Sequence, residues 1–292
     1  MARRIMRNRI ERRPKVHLAS LGCAKNLVDS EQLLGRLAAA GALVGAEAED
    51  ADILIVNTCG FIAPAREESM HAISEYAALR RDGPARTLIV MGCLGVRGAE
   101  QIRAAVPEVD AVVGLHAHEE ILRVCGITPT PEEDARLLLT PKHMAYLRIS
   151  DGCDNCCSYC TIPLIRGPLR SRPADVILAE AEQLVRGGVK ELVVIGQDTT
   201  SYGKDLVGGL PIHRLLHELA RIDDLRWIRL LYAHPAHLRE ELIEEMVSNP
   251  KLCAYVDLPL QHLDDDVLKR MGRGVSQADC VDLIERLRRR IP

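Results

Sequence analysis

Short apolar runs bounded by turn residues alternate along the chain with longer stretches whose apolar positions recur at helical spacing. VHLASLG (16–22) reads as a strand ending in a turn. Leu33, Leu34, Leu37 and Ala40 then share one helical face, with Asp29 or Ser30 as the cap and Gly41 as the stop. DILIVNT (52–58) is a buried-type strand, Pro64 opens a helix reaching about Arg81, and RTLIVMG (86–92) is a third strand. A helix over 97–106, a strand VDAVVG (109–114) and a helix over 117–124 complete this series.

GITPTPEEDARLLLTP (126–141), with three prolines and an acidic run, predicts a linker. A second series follows. Its predicted strands are HMAYLRIS (143–150), KELVVIGQ (190–197), RWIRLLY (226–232) and CAYVDLP (253–259). Its predicted helices span 173–186, 211–221, 237–247 and 264–271, with one more from about 276. Strands alternating with helices imply parallel sheets. The expected fold class is α/β: an amino-terminal parallel domain over 15–125, the linker, and a partial (β/α) TIM-like barrel over 142–292. The second series counts four β-α units where such a barrel continues with more, so the sequence is expected to stop short of the whole barrel.

Charged residues make up 27 % and the apolar set 47 % of 292 residues, which excludes disordered and low-complexity classes. Aromatics are only 3 %, too few for a surface that stacks bases on rings. Residues 1–14 carry six arginines and one glutamate and read as a basic, flexible, solvated tail; outside them 32 basic residues face 40 acidic ones. An acidic body argues against direct nucleic-acid readout. No apolar segment follows the arginines as in a signal peptide, and no window reaches the ~18 apolar residues of a membrane span. A cytoplasmic, reducing setting is expected. There, ten cysteines point to metal or catalysis before disulfides.

The cysteines sort by position. Cys23, Cys59 and Cys93 each follow a predicted strand and each has a glycine beside it. In a parallel sheet all three emerge at the carboxyl edge, where such sheets bind ligands. Three thiolates around one point suit an iron–sulfur cluster with one open iron, whereas structural zinc wants a fourth ligand. Cys125, Cys253 and Cys280 lack this setting and read as core or surface thiols. The stronger signal is DGCDNCCSYC (151–160), where Cys153, Cys157 and Cys160 have the spacing C-x3-C-x2-C. Three thiolates in one loop can hold three irons of a 4Fe–4S cube and leave the fourth free to chelate a small molecule. Cys156 adds an alternative: two abutting C-x2-C pairs that could bind zinc or exchange disulfides.

That spacing is the signature of the radical S-adenosylmethionine (SAM) enzymes, and from about residue 15 the chain resembles their methylthiotransferase family. The segments SLGCAKNLVDSE (20–31), NTCGFI (57–62), QDTTSYG (197–203), LLYAHP (230–235) and DLPLQH (257–262) resemble the branch that modifies a ribosomal protein rather than the tRNA branch. The resemblance implies two 4Fe–4S clusters, one on Cys23, Cys59 and Cys93 and one on Cys153, Cys157 and Cys160, with SAM at the second. It implies methylthiolation of the β-carbon of an aspartate in ribosomal protein S-twelve, served by an outside sulfur source and a flavodoxin-type or ferredoxin-type electron donor. A tRNA isopentenyl-adenosine methylthiotransferase is the alternative, and a two-cluster electron carrier is the alternative of another class. A zinc-binding nucleic-acid module is a third. The family usually has a basic residue where Cys156 stands, and continues into the rest of the barrel and a small β-rich domain.

No catalytic residue is expected beyond the cluster ligands. Tyr159 stands where the family places an aromatic ring against adenine. Gln197 and Asp198 end a barrel strand and are candidates to reach the polar groups of SAM. Gln261 and His262 hold a similar position, with His262 read as structural. His71, His213 and His217 lie in predicted helices and carry no assigned role. Arg166, Arg170 and Arg172 read as a solvated loop, with orientation of a carboxylate as the alternative.

Overall fold

The computed structural model describes residues 13–129 and 136–291. The chain divides into two compact units, one up to Leu137 and one from Leu138.

The first unit is a five-stranded parallel sheet. Its strands are β1 (Lys15–Ser20), β2 (Leu43–Val44), β3 (Ile53–Thr58), β4 (Thr87–Gly92) and β5 (Ala111–Val112), in the order β2-β1-β3-β4-β5. Helices α1 (Ala24–Ala39), α2 (Ala63–Asp82), α3 (Cys93–Ala105) and α4 (His118–Val124) connect them. The central strands are apolar at successive positions because both faces are covered. Ile53, Ile55, Ile89 and Met91 pack on one side with Leu33 and Leu37; Leu54, Val56, Leu88 and Val90 pack on the other with Ile73 and Ile102.

Two expectations change here. Helix α1 begins at Ala24 with Cys23 as its cap position, not at Asp29 or Ser30. Both of those side chains are buried inside the helix, where Ser30 donates to Ser20 Oγ at 2.8 Å. The basic tail lies outside the described residues up to residue 12, but Arg13 and Pro14 are held: Arg13 Nε donates to Gly41 O at 2.7 Å and Leu43 N donates to Pro14 O at 2.9 Å. In the predicted linker, Arg136 pairs with buried Glu31 at 2.6 Å; residues 130–135 lie outside the described residues.

In the second unit three parallel strands, β6 (Met144–Arg148), β9 (Glu191–Ile195) and β10 (Trp227–Leu230), pair in the order β10-β9-β6. A hairpin of β7 (Ser150–Asp151) and β8 (Arg170–Ser171) brackets the cysteine loop. Helices α5 (Ile162–Arg166), α6 (Ala174–Arg186), α7 (Ile212–Ala220), α8 (Glu240–Ser248), α9 (Asp265–Met271) and α10 (Gln277–Arg290) complete it. Ala145, Leu147, Leu192, Val194, Ile228 and Leu230 turn one face of the strands into a core shared with Ile177, Leu215 and Ile243.

The fourth predicted barrel strand, CAYVDLP (253–259), is not a strand. One parallel bridge joins Leu252 to Ile228, and Cys253 N donates to Ile228 O at 2.9 Å. The chain then turns, with Tyr255 N on Cys253 O at 2.7 Å, and Asp257 spends its carboxylate on Tyr232 N at 3.0 Å. Beyond the turn one backbone bond returns, Ala233 N to Asp257 O at 3.0 Å, but no continuous ladder forms.

Candidate iron–sulfur and SAM sites

In the first unit the cysteines sit on three adjacent strands. Ser20, Asn57 and Met91 are in register across β1, β3 and β4, so the loops that leave those strands start side by side. The order β2-β1-β3 reverses direction between β1 and β3, the kind of crevice in which open α/β sheets hold ligands. Cys23 caps α1, Cys59 follows β3, and Cys93 opens α3. The cysteine-bearing loops touch. A Cβ on Gly22, whose φ is +92°, would lie 2.9 Å from Cys59 Cβ and 3.3 Å from Cys59 Sγ. A Cβ on Gly60 would lie 2.8 Å from the backbone of Cys93. Two helix N-termini end at this point, where unpaired N–H groups favour negative ligands.

Sequence reasoning missed the residue that ties these loops together. Asn26 is fully buried; its Nδ2 donates to Leu21 O at 3.1 Å and Thr58 O at 2.9 Å, and Cys93 Sγ donates to its Oδ1 at 3.5 Å. Asn57 Nδ2 in turn donates to Asn26 O at 2.8 Å and to Ser30 Oγ at 2.9 Å. A single buried amide thus bridges the ends of β1 and β3 to the third cysteine. Nothing in the pattern around Asn26 signals this, because the partners are backbone carbonyls far away in sequence.

In the second unit the loop 152–169 leaves through a narrow gate. Gly152 has φ +73°, and a Cβ there would lie 1.9 Å from Pro168 O. Cys153 N donates to Gly167 O at 3.1 Å, and Leu169 N donates to Asp154 Oδ1 at 2.8 Å. Beyond the gate every member of the triad receives an N–H: Asn155 N to Cys153 Sγ at 3.4 Å, Ile162 N to Cys160 Sγ at 3.4 Å, and Arg273 Nη1 to Cys157 Sγ at 3.6 Å. The exposed Cys156 does the reverse, its Sγ donating to Asp154 O at 3.7 Å. Burial raises the Cys153 and Cys160 thiols above their ordinary range.

Among the described residues no group of three or more His, Cys, Asp or Glu gathers closely enough for a single metal ion. A 4Fe–4S cube spreads its thiolates over separate irons, whereas zinc draws four ligands to one point. Three sulfurs that each accept an N–H fit the former donor set.

The remaining predicted residues separate. Gln197 Nε2 donates to Asp151 Oδ1 at 2.8 Å, and its buried Oε1 has no partner among the described residues. Tyr159 is exposed beside Cys157, its phenol raised by partial burial. Asp198 is 3 % exposed and lies in the wall of a cleft beside Cys153. It accepts from Asn155 Nδ2 at 2.9 Å, Thr200 Oγ1 at 2.5 Å, Ser201 Oγ at 2.8 Å and His237 Nδ1 at 2.7 Å. Burial alone would push its carboxyl up, but these four donors outweigh it and hold the carboxyl well below the usual range. A cleft of about 270 Å³ opens beside Cys153, lined in part by Asn155, Lys204 and His237.

Of the arginine run only Arg170 is exposed, as a solvated loop predicts; the other two make ion pairs. Arg166 is buried and pairs with Asp151 at 3.0 Å, and Arg172 pairs with Glu180 at 2.6 Å. The carboxylates they orient are the protein's own, Asp151 at the root of the cysteine loop and Glu180 on α6.

The model of the radical SAM superfamily matches residues 147–292, half of the chain. The chain belongs to the radical SAM superfamily. Residues 15–114 match the uncharacterized protein family UPF0004. The "Ribosomal protein uS12 methylthiotransferase RimO" of Trichlorobacter lovleyi is 46 % identical over 95 % of this chain and 65 % of its own length. The protein of the same name from Geobacter sulfurreducens is 44 % identical over 95 % of this chain and 66 % of its own length, and that from Clostridioides difficile is 42 % identical with the same two shares. The chain therefore spans just under two thirds of the length of these relatives. Among solved structures, the cobalamin-dependent SAM radical enzyme OxsB matches 94 % of this chain and 47 % of its own with a TM-score of 0.62 at 12 % identity. The radical SAM methyltransferase TsrM from Kitasatospora setae matches 95 % and 66 % with a TM-score of 0.62 at 15 % identity. These likenesses establish a radical SAM fold. Among the described residues no helix is long and apolar enough to cross a membrane.

Proposed function

We propose that this chain holds two 4Fe–4S clusters, one on Cys23, Cys59 and Cys93 and one on Cys153, Cys157 and Cys160, and binds SAM at the second. Its reaction is methylthiolation of the β-carbon of an aspartate in ribosomal protein S-twelve, in the reducing cytoplasm, with electrons and sulfur supplied from outside. The observation that carries the reading of the second cluster is the contrast within one loop: three sulfurs accept an N–H each, and the fourth, Cys156, donates; the first rests on three cysteine-bearing loops leaving adjacent strands in register. Identities of 42–46 % to proteins named for that ribosomal substrate support the substrate.

The C–H bond at an aspartate β-carbon is neither acidic nor activated, and a reduced cluster with SAM supplies the one-electron chemistry that side-chain acids and bases lack. The chain's own residues bind and orient. The unpartnered Gln197 Oε1 is an acceptor for the ammonium group of SAM. Tyr159, exposed between two ligands, offers its ring to the adenine. Asp198 holds Asn155, and through it the backbone N–H that Cys153 accepts.

Anaerobic reconstitution should give about eight irons per chain, and added SAM with reductant should release 5′-deoxyadenosine. Eight irons without 5′-deoxyadenosine would indicate an electron carrier. Deleting the gene should remove the methylthio mass from a peptide of ribosomal protein S-twelve; loss from tRNA alone would overturn the substrate.

A further inference from the structure

Arg273 lies between Gly272 and Gly274, both with φ +65°, just beyond α9. A Cβ on Gly272 would lie 2.8 Å from Cys156 O, so the glycine lets the helix end press on the cysteine loop. Ser158 N and Oγ bond to the same helix end, at Met271 O (3.0 Å) and Arg270 O (2.8 Å).

Arg273 is 5 % exposed. Nη2 donates to Pro259 O at 2.7 Å, Nη1 points at Cys157 Sγ at 3.6 Å, and Nε is buried without a partner. Among the described residues no carboxylate pairs with it. A buried cation without a counter-ion is expensive, and few such sites persist without an anion nearby. The group its charge meets is the triad: it bears on Cys160 and Tyr159 as well as on Cys157.

We propose that Arg273 is a positioning residue whose charge is the counter-ion of the cluster on Cys153, Cys157 and Cys160, raising that cluster's reduction potential. The inference rests on the cluster reading above. Reduction adds one negative charge to a centre that already carries three thiolates. A fixed cation at hydrogen-bond range in a water-poor site stabilises that added charge. The Pro259 carbonyl fixes where the guanidinium stands.

The test uses the full chain with Cys23, Cys59 and Cys93 replaced by alanine, so that only the second cluster titrates. It is reconstituted anaerobically and followed by potentiometry with EPR detection. Arg273→Gln should bind about four irons yet lower the reduced-to-oxidised ratio about tenfold at fixed potential, a shift of about 59 mV for one electron. Arg273→Lys should stay near the parent. An unmoved midpoint in Arg273→Gln overturns the inference, and so does an equal shift in Arg273→Lys. If Arg273→Gln holds no iron, Arg273→Lys decides: four irons at the parental midpoint support the counter-ion role, and loss of iron overturns it. A parent chain that binds no iron overturns the cluster reading and this inference with it, a result distinct from four irons with an unmoved midpoint.

Discussion

Replacing Gly152 by alanine should strip the second triad of iron and leave the first loaded. The position has two separate costs. Its φ of +73° lies in the left-handed region, where an L-residue pays roughly 1–2 kcal/mol. Its new Cβ would also stand 1.9 Å from Pro168 O and 2.6 Å from Gly167 O, both backbone atoms that no rotamer can move aside. The hairpin must open, and it is short: two residue pairs, Ser150 with Ser171 and Asp151 with Arg170, plus the bond from Cys153 N to Gly167 O. Losing two or three such bonds at about 1 kcal/mol each brings the total to roughly 3–5 kcal/mol. Gly167 in the same hairpin is the matched control. Its φ is +76° with ψ −166°, and an added Cβ meets nothing within 4 Å, so Gly167→Ala should cost only the backbone strain of about 1–3 kcal/mol. Iron per chain and urea unfolding read both consequences. Gly152→Ala should fall from about eight irons to about four, while Gly167→Ala keeps eight. A Gly152→Ala chain that loads eight irons and unfolds with Gly167→Ala would refute the idea that this gate shapes the loop.

Asn26→Ala should lose the first cluster, about four irons, and cost about 3 kcal/mol in urea unfolding, because it strips two donors from buried carbonyls; normal iron content would count against its bridging role. Cys156→Ser should leave both iron content and SAM cleavage unchanged, because that sulfur faces Asp154 O and not the triad; a drop in iron would place it among the ligands. Burial and then the Arg273 charge hold the His234 imidazole down at about 4. Its Nδ1 accepts from Ala236 N at 3.2 Å, which only the unprotonated nitrogen can do. The unfolded chain, with an ordinary histidine near 6.5, binds more protons in this window. Stability is therefore whole above about pH 6.5 and falls by roughly 3 kcal/mol toward pH 4. Urea unfolding of the iron-free chain should show this slope, and His234→Asn should flatten it; an equal slope in the variant would assign the effect elsewhere.

The parallel sheets and the strand-end placement of Cys23, Cys59 and Cys93 were legible because buried strands leave continuous apolar runs, and DILIVNT and RTLIVMG are such runs. Leu43–Val44 escaped notice because two residues carry no period, yet this short strand sets the sheet order that makes the crevice. CAYVDLP misled for the opposite reason. Its composition suits a strand, but the turn at Cys253 and the capping by Asp257 are tertiary events that period and propensity do not encode. Helix starts slipped the same way: α1 has Cys23 at its cap position and α3 opens at Cys93 behind Gly92, and cysteine carries no start signal by type.

The difference between Gln197 and Asp198 follows from counting bonds rather than from residue type. A carboxylate offers about four acceptor sites, and Asp198 has four donors on it, from four different residues. Three of these donors meet Oδ2 and only Thr200 meets Oδ1, so most of its acceptor capacity is used within the fold. Gln197 has the opposite balance. One half of its amide is committed to Asp151, which Arg166 anchors, and the other half is a buried oxygen without a donor. A buried acceptor left unmet costs about 1–3 kcal/mol, and a ligand that brings a charged donor recovers that cost on binding. Of the two neighbours at the end of β9, Gln197 keeps a buried oxygen without a partner among the described residues, while Asp198 holds Asn155, whose backbone N–H meets the first cysteine.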